Sequence, residues 1–470
     1  MPGGESLLDQ TIWVVDVVAR ETMLFAATGL LIGGLDDILV DLLYLRQRLF
    51  RNSIDRRRLS DIAPSPTPGR LAIFVPAWEE SRVIATMLRA ALRRFGHGDY
   101  RIYVGLYPND LPTIDAVTAV AEHDPRIRMV IGSRDGPTTK ADNLNRLWTA
   151  ALADEARDGR RFKGIVLHDA EDLVHPRELT LFDMLIDSHE VVQLPVLPLI
   201  RAGSRLVSGH YADEFAEQHS VQLPIRTALG AGMPLAGTGC AIARDMLAAI
   251  AEERGGLPFD ASSLTEDYEL GLTIGDRGGR GVFARVTDPA TGDLIAVRAY
   301  FPATLTAATR QKARWMLGIA LAGWDRTGWR AGGEWRDHWM RMRDRRAPIA
   351  VVVLAVAYGA ILAWGLRGAL HLLSGQPLPD DRLATWLGMA TFALLLWRLS
   401  IRCACTARCY GRREAMWAIP RFFVGNVIAL IAAPRATWRY LAMLRGATPQ
   451  WDKTIHDFPD EIATDDSCIA

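Results

Sequence analysis

Four long apolar runs flank one stretch of short alternating elements. Apolar residues dominate from about Met23 to Leu45, Ala347 to Leu366, Leu383 to Ile401 and Ala415 to Ala433. Runs of this length are near the roughly 20 residues that a helix needs to cross a hydrocarbon core. The first contains Asp36, Asp37 and Asp41. Acids at that depth are costly unless they face protein or water. This helix therefore either packs its acidic face against later helices or inserts only its first half. Ahead of it, Thr11 to Arg20 reads as an amphipathic surface helix. The last run holds Pro420 and Arg421. If it crossed fully, Arg435, Arg439, Arg445 and Lys453 would land on the side that basic residues avoid. The pattern there predicts a re-entrant or interfacial element, or a miscounted span earlier.

Between these runs the period changes. Ile62 to Gly69 (IAPSPTPG) is a Pro-rich linker. Strand patterns follow at Leu71–Val75, Arg101–Leu106, Arg126–Ile131 and Gly164–Leu167, with a helix over about Glu80–Arg94 and another after Lys140. This rhythm predicts an α/β domain with a mostly parallel sheet and helices on both faces. Ligands of such sheets sit beyond the carboxyl ends of the strands, and each polar motif of this chain falls at such an end. Residues 324–346 are rich in Trp and Arg and predict one interfacial amphipathic helix. The expected organisation is an N-terminal amphipathic and transmembrane segment (1–60), a catalytic domain (61–323), the interfacial helix (324–346), transmembrane or re-entrant helices (347–445) and a tail (446–470).

Composition sharpens the membrane reading. Apolar residues make up 49% of the 470, and the formal net charge is zero. Arg46, Arg48, Arg51, Arg56, Arg57 and Arg58 crowd after the first apolar run, and Arg402, Arg412 and Arg413 follow a later one. Such clusters mark the cytoplasmic ends of spans. They lack the aromatic interleaving of a nucleic-acid surface, so no nucleic-acid partner is expected. The loop His371–Asp381 has no Lys or Arg and is expected on the periplasmic side. Cys403, Cys405 and Cys409 lie close together, but with no nearby His they do not read as a metal site. An odd count of five cysteines argues against a disulfide framework. The first residues carry Glu5 and Asp9 rather than a basic start, so no cleavable signal peptide is expected.

Three motifs carry chemistry. Asp169-Ala170-Glu171-Asp172 ends an apolar strand. Clustered carboxylates repel one another and call for a cation, and oxygen ligands suit Mg²⁺ or Mn²⁺. Thr265-Glu266-Asp267 opens a helix. Thr265 also fits an N-cap and the acids suit a first turn, whereas the chemical reading makes Asp267 a general base. Gln311-Lys312-Ala313-Arg314-Trp315 lies on a helix; Arg314 could grip a diphosphate and Trp315 could offer a flat face to a sugar ring. Three weaker signals join them. Pro76, Ala77 and Glu79 would wall a nucleotide pocket. Asp110 either reads the edge of a uracil or completes a turn. Lys140 and Asp142 open a helix whose N-terminus attracts anions.

Together these residues resemble the membrane-bound family 2 glycosyltransferases. Val75-Pro76-Ala77-Trp78-Glu79-Glu80, Lys140-Ala141, Asp169-Ala170-Glu171-Asp172, Thr265-Glu266-Asp267 and Gln311, Arg314 and Trp315 fit that family's motifs in order. At the metal motif either Glu171 or Asp172 joins Asp169. Gly34-Leu35-Asp36-Asp37, Tyr107-Pro108-Asn109-Asp110, Tyr211 to Glu217 and Trp451 to Pro459 further resemble the NfrB-like phage-adsorption inner-membrane glycosyltransferases. The resemblance implies a GT-A-type catalytic domain and inverting, metal-dependent transfer from a nucleotide-sugar donor, with UDP the expected nucleotide, to a glycan acceptor. It places Gly237-Thr238-Gly239-Cys240 near the acceptor. It implies residence in a bacterial inner membrane, with the catalytic domain cytoplasmic, and synthesis of an exported surface polysaccharide, which would call for an outer-membrane export partner. Longer members carry a C-terminal domain for cyclic di-GMP, and the chain is expected to lack it. Transfer of one sugar to a lipid carrier, and a non-catalytic membrane scaffold, are the competing readings.

Overall fold

The computed structural model describes residues 7–50, 57–96, 98–330, 332–447 and 457–459. Arg51, Arg56, Cys468 and the Trp451–His456 part of the C-terminal motif lie outside them. The first helix, α1 (Leu7–Phe50), is continuous. The separate surface helix expected at Thr11–Arg20 is therefore its first turns; no Gly or Pro breaks the sequence between them.

The central sheet has seven strands. They are β1 (Leu71–Pro76), β2 (Tyr100–Leu106), β3 (Ile127–Ile131), β4 (Gly164–Leu167), β5 (Val191–Gln193), β6 (Cys240–Ala243) and β7 (Gly281–Phe283). Their order is β3-β2-β1-β4-β6-β5-β7. The first four are parallel; β6 runs antiparallel to both β4 and β5. Each of the four expected strands forms. The other three are only three or four residues long, too short for a period to register. β1 and β4 are buried throughout, with apolar side chains on both faces, because helices cover both sides of a parallel sheet. One core layer holds Ile73, Val75, Val104 and Val166; the other holds Phe74, Tyr103, Trp148 and Leu167. The chain direction reverses its lateral progress between β1 and β4, which opens a crevice at their carboxyl ends.

The helices that matter for the site and the membrane are α2 (Lys140–Asp158), α3 (Val207–Glu217), α4 (Glu266–Asp276), α5 (Leu305–Trp315), α6 (Trp335–Arg345), α7 (Ala347–Ser374), α8 (Arg382–Tyr410) and α9 (Arg412–Leu444). The single helix expected over 324–346 is broken. A short helix ends at Thr327, Gly328 and Gly332 take positive φ, and α6 begins at Trp335. The last apolar run extends as one helix, α9, through Pro420 and Pro434.

Helices α1, α7, α8 and α9 are each long and apolar enough to cross a membrane. Polar clusters bracket α1 and α7 at both ends. At one end Asp16 pairs with Arg367 and His371, and Arg20 with Asp381. At the other, Asp36 and Asp37 pair with Arg343 and Arg346. Asp16 and Asp36 are 20 residues apart, about 30 Å of helix, the thickness of a hydrocarbon core. The acids of α1 thus face protein and carry counterions, the first of the two alternatives posed by the sequence.

Candidate active site

The site is built where β1, β2 and β4 end. At the end of β4, Asp169 is half-buried, and its Oδ1 accepts a hydrogen bond from Lys140 Nζ at 2.5 Å. Lys140 is the first residue of α2, which Thr139 caps by accepting from the Asp142 N–H. Two asparagines hold that helix in place. Asn143 Nδ2 donates to the Gly105 carbonyl on β2, and Asn145 exchanges two hydrogen bonds with the backbone of Phe259. Lys140 Nζ also reaches the Gly237 carbonyl at 3.3 Å. Gly237 has φ +76°, and a Cβ there would lie 2.5 Å from Asp267 Oδ2. Lys140, Asp169 and Asp267 therefore converge around one glycine.

Asp172 stands elsewhere. Its side chain is buried, and its Oδ2 accepts from His168 Nδ1 at 2.9 Å, from the Asp169 N–H at 2.8 Å and from the Thr238 hydroxyl. His168 Nε2 lies 2.7 Å from Glu178 Oε1. Burial works against the imidazolium, but Glu178 and Asp172 outweigh it and raise the His168 pKa to about 10. The result is a closed ring: Lys140 to Asp169, Asp169 N–H to Asp172, Thr238 to Asp172, and the Gly237 carbonyl back to Lys140. The strand-end acids and the glycine loop beside Asp267 are locked to each other.

Glu266 and Asp267 begin α4. Thr265 occupies the cap position but makes no cap hydrogen bond. Its hydroxyl donates instead to the Gly318 carbonyl at 3.0 Å. Helix capping, one reading of this motif, is not what fixes Thr265. Gly318 lies in a π-helical segment, Met316–Leu321, and a Cβ there would collide with the Thr265 side chain. Burial and the neighbouring Asp267 push Glu266 up to about 7. Burial also raises Asp267, against the opposing pull of Lys140 and Arg314. For Lys140 burial disfavours the charge, yet Asp169, Glu266 and Asp267 together raise its pKa. Cys240 sits beneath this cluster as a buried thiol, its pKa raised first by burial and then by Asp267.

Gln311, Arg314 and Trp315 lie on α5, all half-buried. Arg314 is close enough to the α4 acids to oppose, weakly, the rise of both pKa values that burial causes. Trp315 is fixed by an aromatic group, with ring centroids 5.9 Å from Tyr211 and 6.1 Å from Phe215.

The nucleotide-side expectations gather at the ends of β1 and β2. Pro76 ends β1 and Ala77 follows, both buried. Glu79 has φ +52°, a strained value for a non-glycine residue. Its N–H donates to Asp110 Oδ2 at 2.5 Å, so buried Asp110 spends one oxygen on this turn. Asn109 clamps Gly136 through two hydrogen bonds, and Gly136 closes on Trp78 and Tyr107. Asp142 is half-buried and pairs with Arg134 and Arg146.

The donor set suits a hard cation. Asp169 and Glu171 are half-buried carboxylates separated by one residue at a strand end, whereas Asp172 is committed inward. Among the described residues no three His, Cys, Asp or Glu side chains form a metal site. Two carboxylates would need further oxygens, and Mg²⁺ and Mn²⁺ commonly take these from substrate phosphates.

A parallel sheet with antiparallel β6, acids at the end of β4, and a base candidate at the head of α4 define a GT-A glycosyltransferase. Residues 68–318 match the family described as glycosyltransferase like family 2, and the chain belongs to that family. It is 34% identical over 487 aligned residues to bacteriophage adsorption protein B of Escherichia coli K12, covering 95% of this chain and 64% of that protein. Bacteriophage N4 adsorption protein B of Escherichia coli O157:H7 matches equally. The chain thus spans less than two thirds of these relatives. Among solved structures it is similar to the mannosyltransferase PcManGT of Pyrobaculum calidifontis, in complex with GDP-Man and Mn²⁺. That match has a TM-score of 0.53 and 15% identity, over 90% of this chain and 99% of the other. The chain therefore joins a family 2 glycosyltransferase domain to four helices that are long and apolar enough to cross a membrane.

Sequence reasoning missed the roles of His168, Glu178, Asn143 and Asn145, and it named Thr238 only as a neighbour of the acceptor, not as a partner of Asp172. Only the asparagines left a trace, as polar residues inside the otherwise apolar face of a helix.

Proposed function

We propose that this enzyme transfers a sugar, with inversion, from a nucleoside-diphosphate donor to a hydroxyl of a growing glycan, for a cell-surface polysaccharide. The observation that carries the reading is the convergence of Lys140, Asp169 and Asp267 around Gly237. A lysine cation and a strand-end carboxylate in one hydrogen-bonded ring, with the candidate base Asp267 against the glycine of that ring, are what the two halves of the displacement require. Asp267 takes the proton of the acceptor hydroxyl. The acceptor oxygen forms its bond to the anomeric carbon as the bond to the β-phosphate oxygen breaks on the opposite face. The nucleoside diphosphate leaves with the bonding pair, and Lys140 and Arg314 offset its charge. Asp169 and Glu171 would hold Mg²⁺ or Mn²⁺, which would supply further positive charge for the departing group. Pro76, Ala77, Glu79, Asp110 and Asp142 shape the donor side. Gln311 and Trp315 sit on the acceptor side, on the helix that carries Arg314.

The strained Glu79 turn supports a built rather than incidental donor wall, since such strain concentrates at functional sites. The similarity to a phage adsorption protein supports a surface glycan as product, and the GDP-Man complex of PcManGT supports a nucleoside-diphosphate sugar as donor. Purified full-length protein in lipid vesicles should consume one sugar of a UDP- and GDP-sugar panel when Mn²⁺ or Mg²⁺ is supplied, and stop on chelation. Products longer than one added sugar are expected; a single-sugar lipid product throughout would replace polymer synthesis with loading of a lipid carrier.

A further inference from the structure

We propose that α9 does not cross the bilayer. It lies against the lipid leaflet on the catalytic-domain side, so the chain crosses three times, through α1, α7 and α8. The inference rests on packing and is independent of the reaction proposed above.

One face of α9 is fixed to the catalytic domain along most of its length. Near its start Glu414 pairs with Arg205 and Arg421, and Arg421, itself buried, donates to the Arg205 carbonyl and pairs with Asp213 of α3. Gly425 lies beside Glu214 and His210 of α3. Ile428 packs with Tyr211 and Ala308. Ala432, Ala433 and Ala436 pack on Ala313 of the Arg314 helix and on Met316 and Leu317, which follow it directly. Tyr440 donates to Asp325 at 2.5 Å. From Glu414 to Tyr440 the helix advances about 39 Å. A crossing helix would carry these partners, Asp213, Glu214 and Asp325 among them, into the hydrocarbon, where ionisable groups are costly.

The opposite face is a stripe of exposed apolar residues at helical spacing: Met416, Ile419, Phe423, Val427, Ile431 and Trp438. Its occupant is lipid. The stripe is continuous with the membrane helices, since Asn426 reaches the Tyr358 hydroxyl and Val351 packs in the Ala432–Met443 cluster, both on α7. Beyond α9 the chain returns to the catalytic domain. Asp457 pairs with Arg201 at 2.7 Å and with Arg82 at 3.4 Å, and Phe458 is buried in the sheet core. A crossing by α9 would leave residues 447–457 to come back through the bilayer, which ten residues cannot do as a helix. The shallow placement also keeps Arg435, Arg439 and Arg445 beside the other basic clusters, as positive residues prefer.

Nitroxide labels at Val427, Ile431, Trp438 and Leu441, one per variant, would report depth in reconstituted vesicles by relaxation with oxygen and a nickel chelate. A crossing helix would move the label by about 21 Å between the first and last positions. We expect all four labels to stay within the leaflet on the catalytic-domain side. A label series that passes the bilayer centre and emerges on the far side overturns the proposal. If cysteine replacement disturbs folding, a reporter fused after residue 470 of the native chain decides the same point. Fluorescence of a cytoplasm-dependent reporter together with an active phosphatase placed in the 375–381 loop is expected. An active phosphatase at the C-terminus contradicts it.

Discussion

Asp172 accepts three hydrogen bonds on one oxygen, and Asp169, three residues earlier, accepts an ammonium. Adjacent acids of one motif therefore do different work. Asp172→Asn exchanges an acceptor for a donor amide and leaves the His168 charge with Glu178 alone. It should destabilise the folded protein by about 3 kcal/mol, the usual scale for breaking a buried ionic contact, read as a lower midpoint of thermal unfolding. Asp169→Asn, which leaves the His168 and Thr238 contacts of Asp172 in place, should lower that midpoint less than Asp172→Asn does and instead raise the Mn²⁺ concentration needed for half-maximal transfer by at least tenfold. The reverse pattern, with Asp172→Asn shifting only the Mn²⁺ requirement, would put Asp172 on the cation. The sequence exposed Asp169, Lys140 and Asp267 because acids and a cation at strand ends and helix starts stand out against apolar neighbours. It hid Thr238, whose hydroxyl meets Asp172 from 66 positions away. It hid His168 too, since a histidine at the end of a buried strand carries no period of its own.

At the scale of elements, the loop from Gly237 to Cys240 connects the acid cluster of β4 to the head of α4. Gly237→Ala would force φ +76° on a side-chain-bearing residue, a cost of about 1–2 kcal/mol. It would also press a methyl against Asp267 Oδ2. The expected outcome is a fall in kcat of about 10²-fold or more with donor KM changed less than threefold, measured by release of nucleoside diphosphate. An unchanged kcat would detach this loop from the base. The four parallel strands were legible because each is four or more apolar residues bounded by turn signals. The antiparallel β6 was not: Cys240 to Ala243 (CAIA) is as long as β4 but has one β-branched residue where β4 has two, and only its partners, β4 and β5, make it a strand. The broken 324–346 helix was misjudged because its Trp and Arg spacing is helical on both sides of Gly328, while positive φ at Gly328 and Gly332 turns the chain between them. Arg345, the last residue of α6, lays its guanidinium over Trp324 and Trp329, with centroid distances of 5.0 and 4.9 Å, and so folds the second half back on the first.

For the whole molecule, the catalytic domain and the membrane helices are not two independent bodies. Glu217 of α3 pairs with Arg398 and Arg402 of α8, Asp36 and Asp37 of α1 pair with arginines of α6 and the start of α7, and α9 runs beneath α5. The Gln311–Trp315 helix is thereby held between the catalytic acids and the lipid-facing α9. The order of motifs made the enzyme class legible from sequence, whereas this coupling was not, because each ion pair joins residues hundreds of positions apart. The central claim is that Asp267 is the base of sugar transfer. The most direct test compares native protein with Asp267→Asn, both in vesicles with Mn²⁺, by the rate of nucleoside-diphosphate release from the donor that the native protein uses. A loss of at least 10²-fold is predicted, with donor binding retained within about threefold and the unfolding midpoint preserved. Release at the native rate by Asp267→Asn would contradict the account.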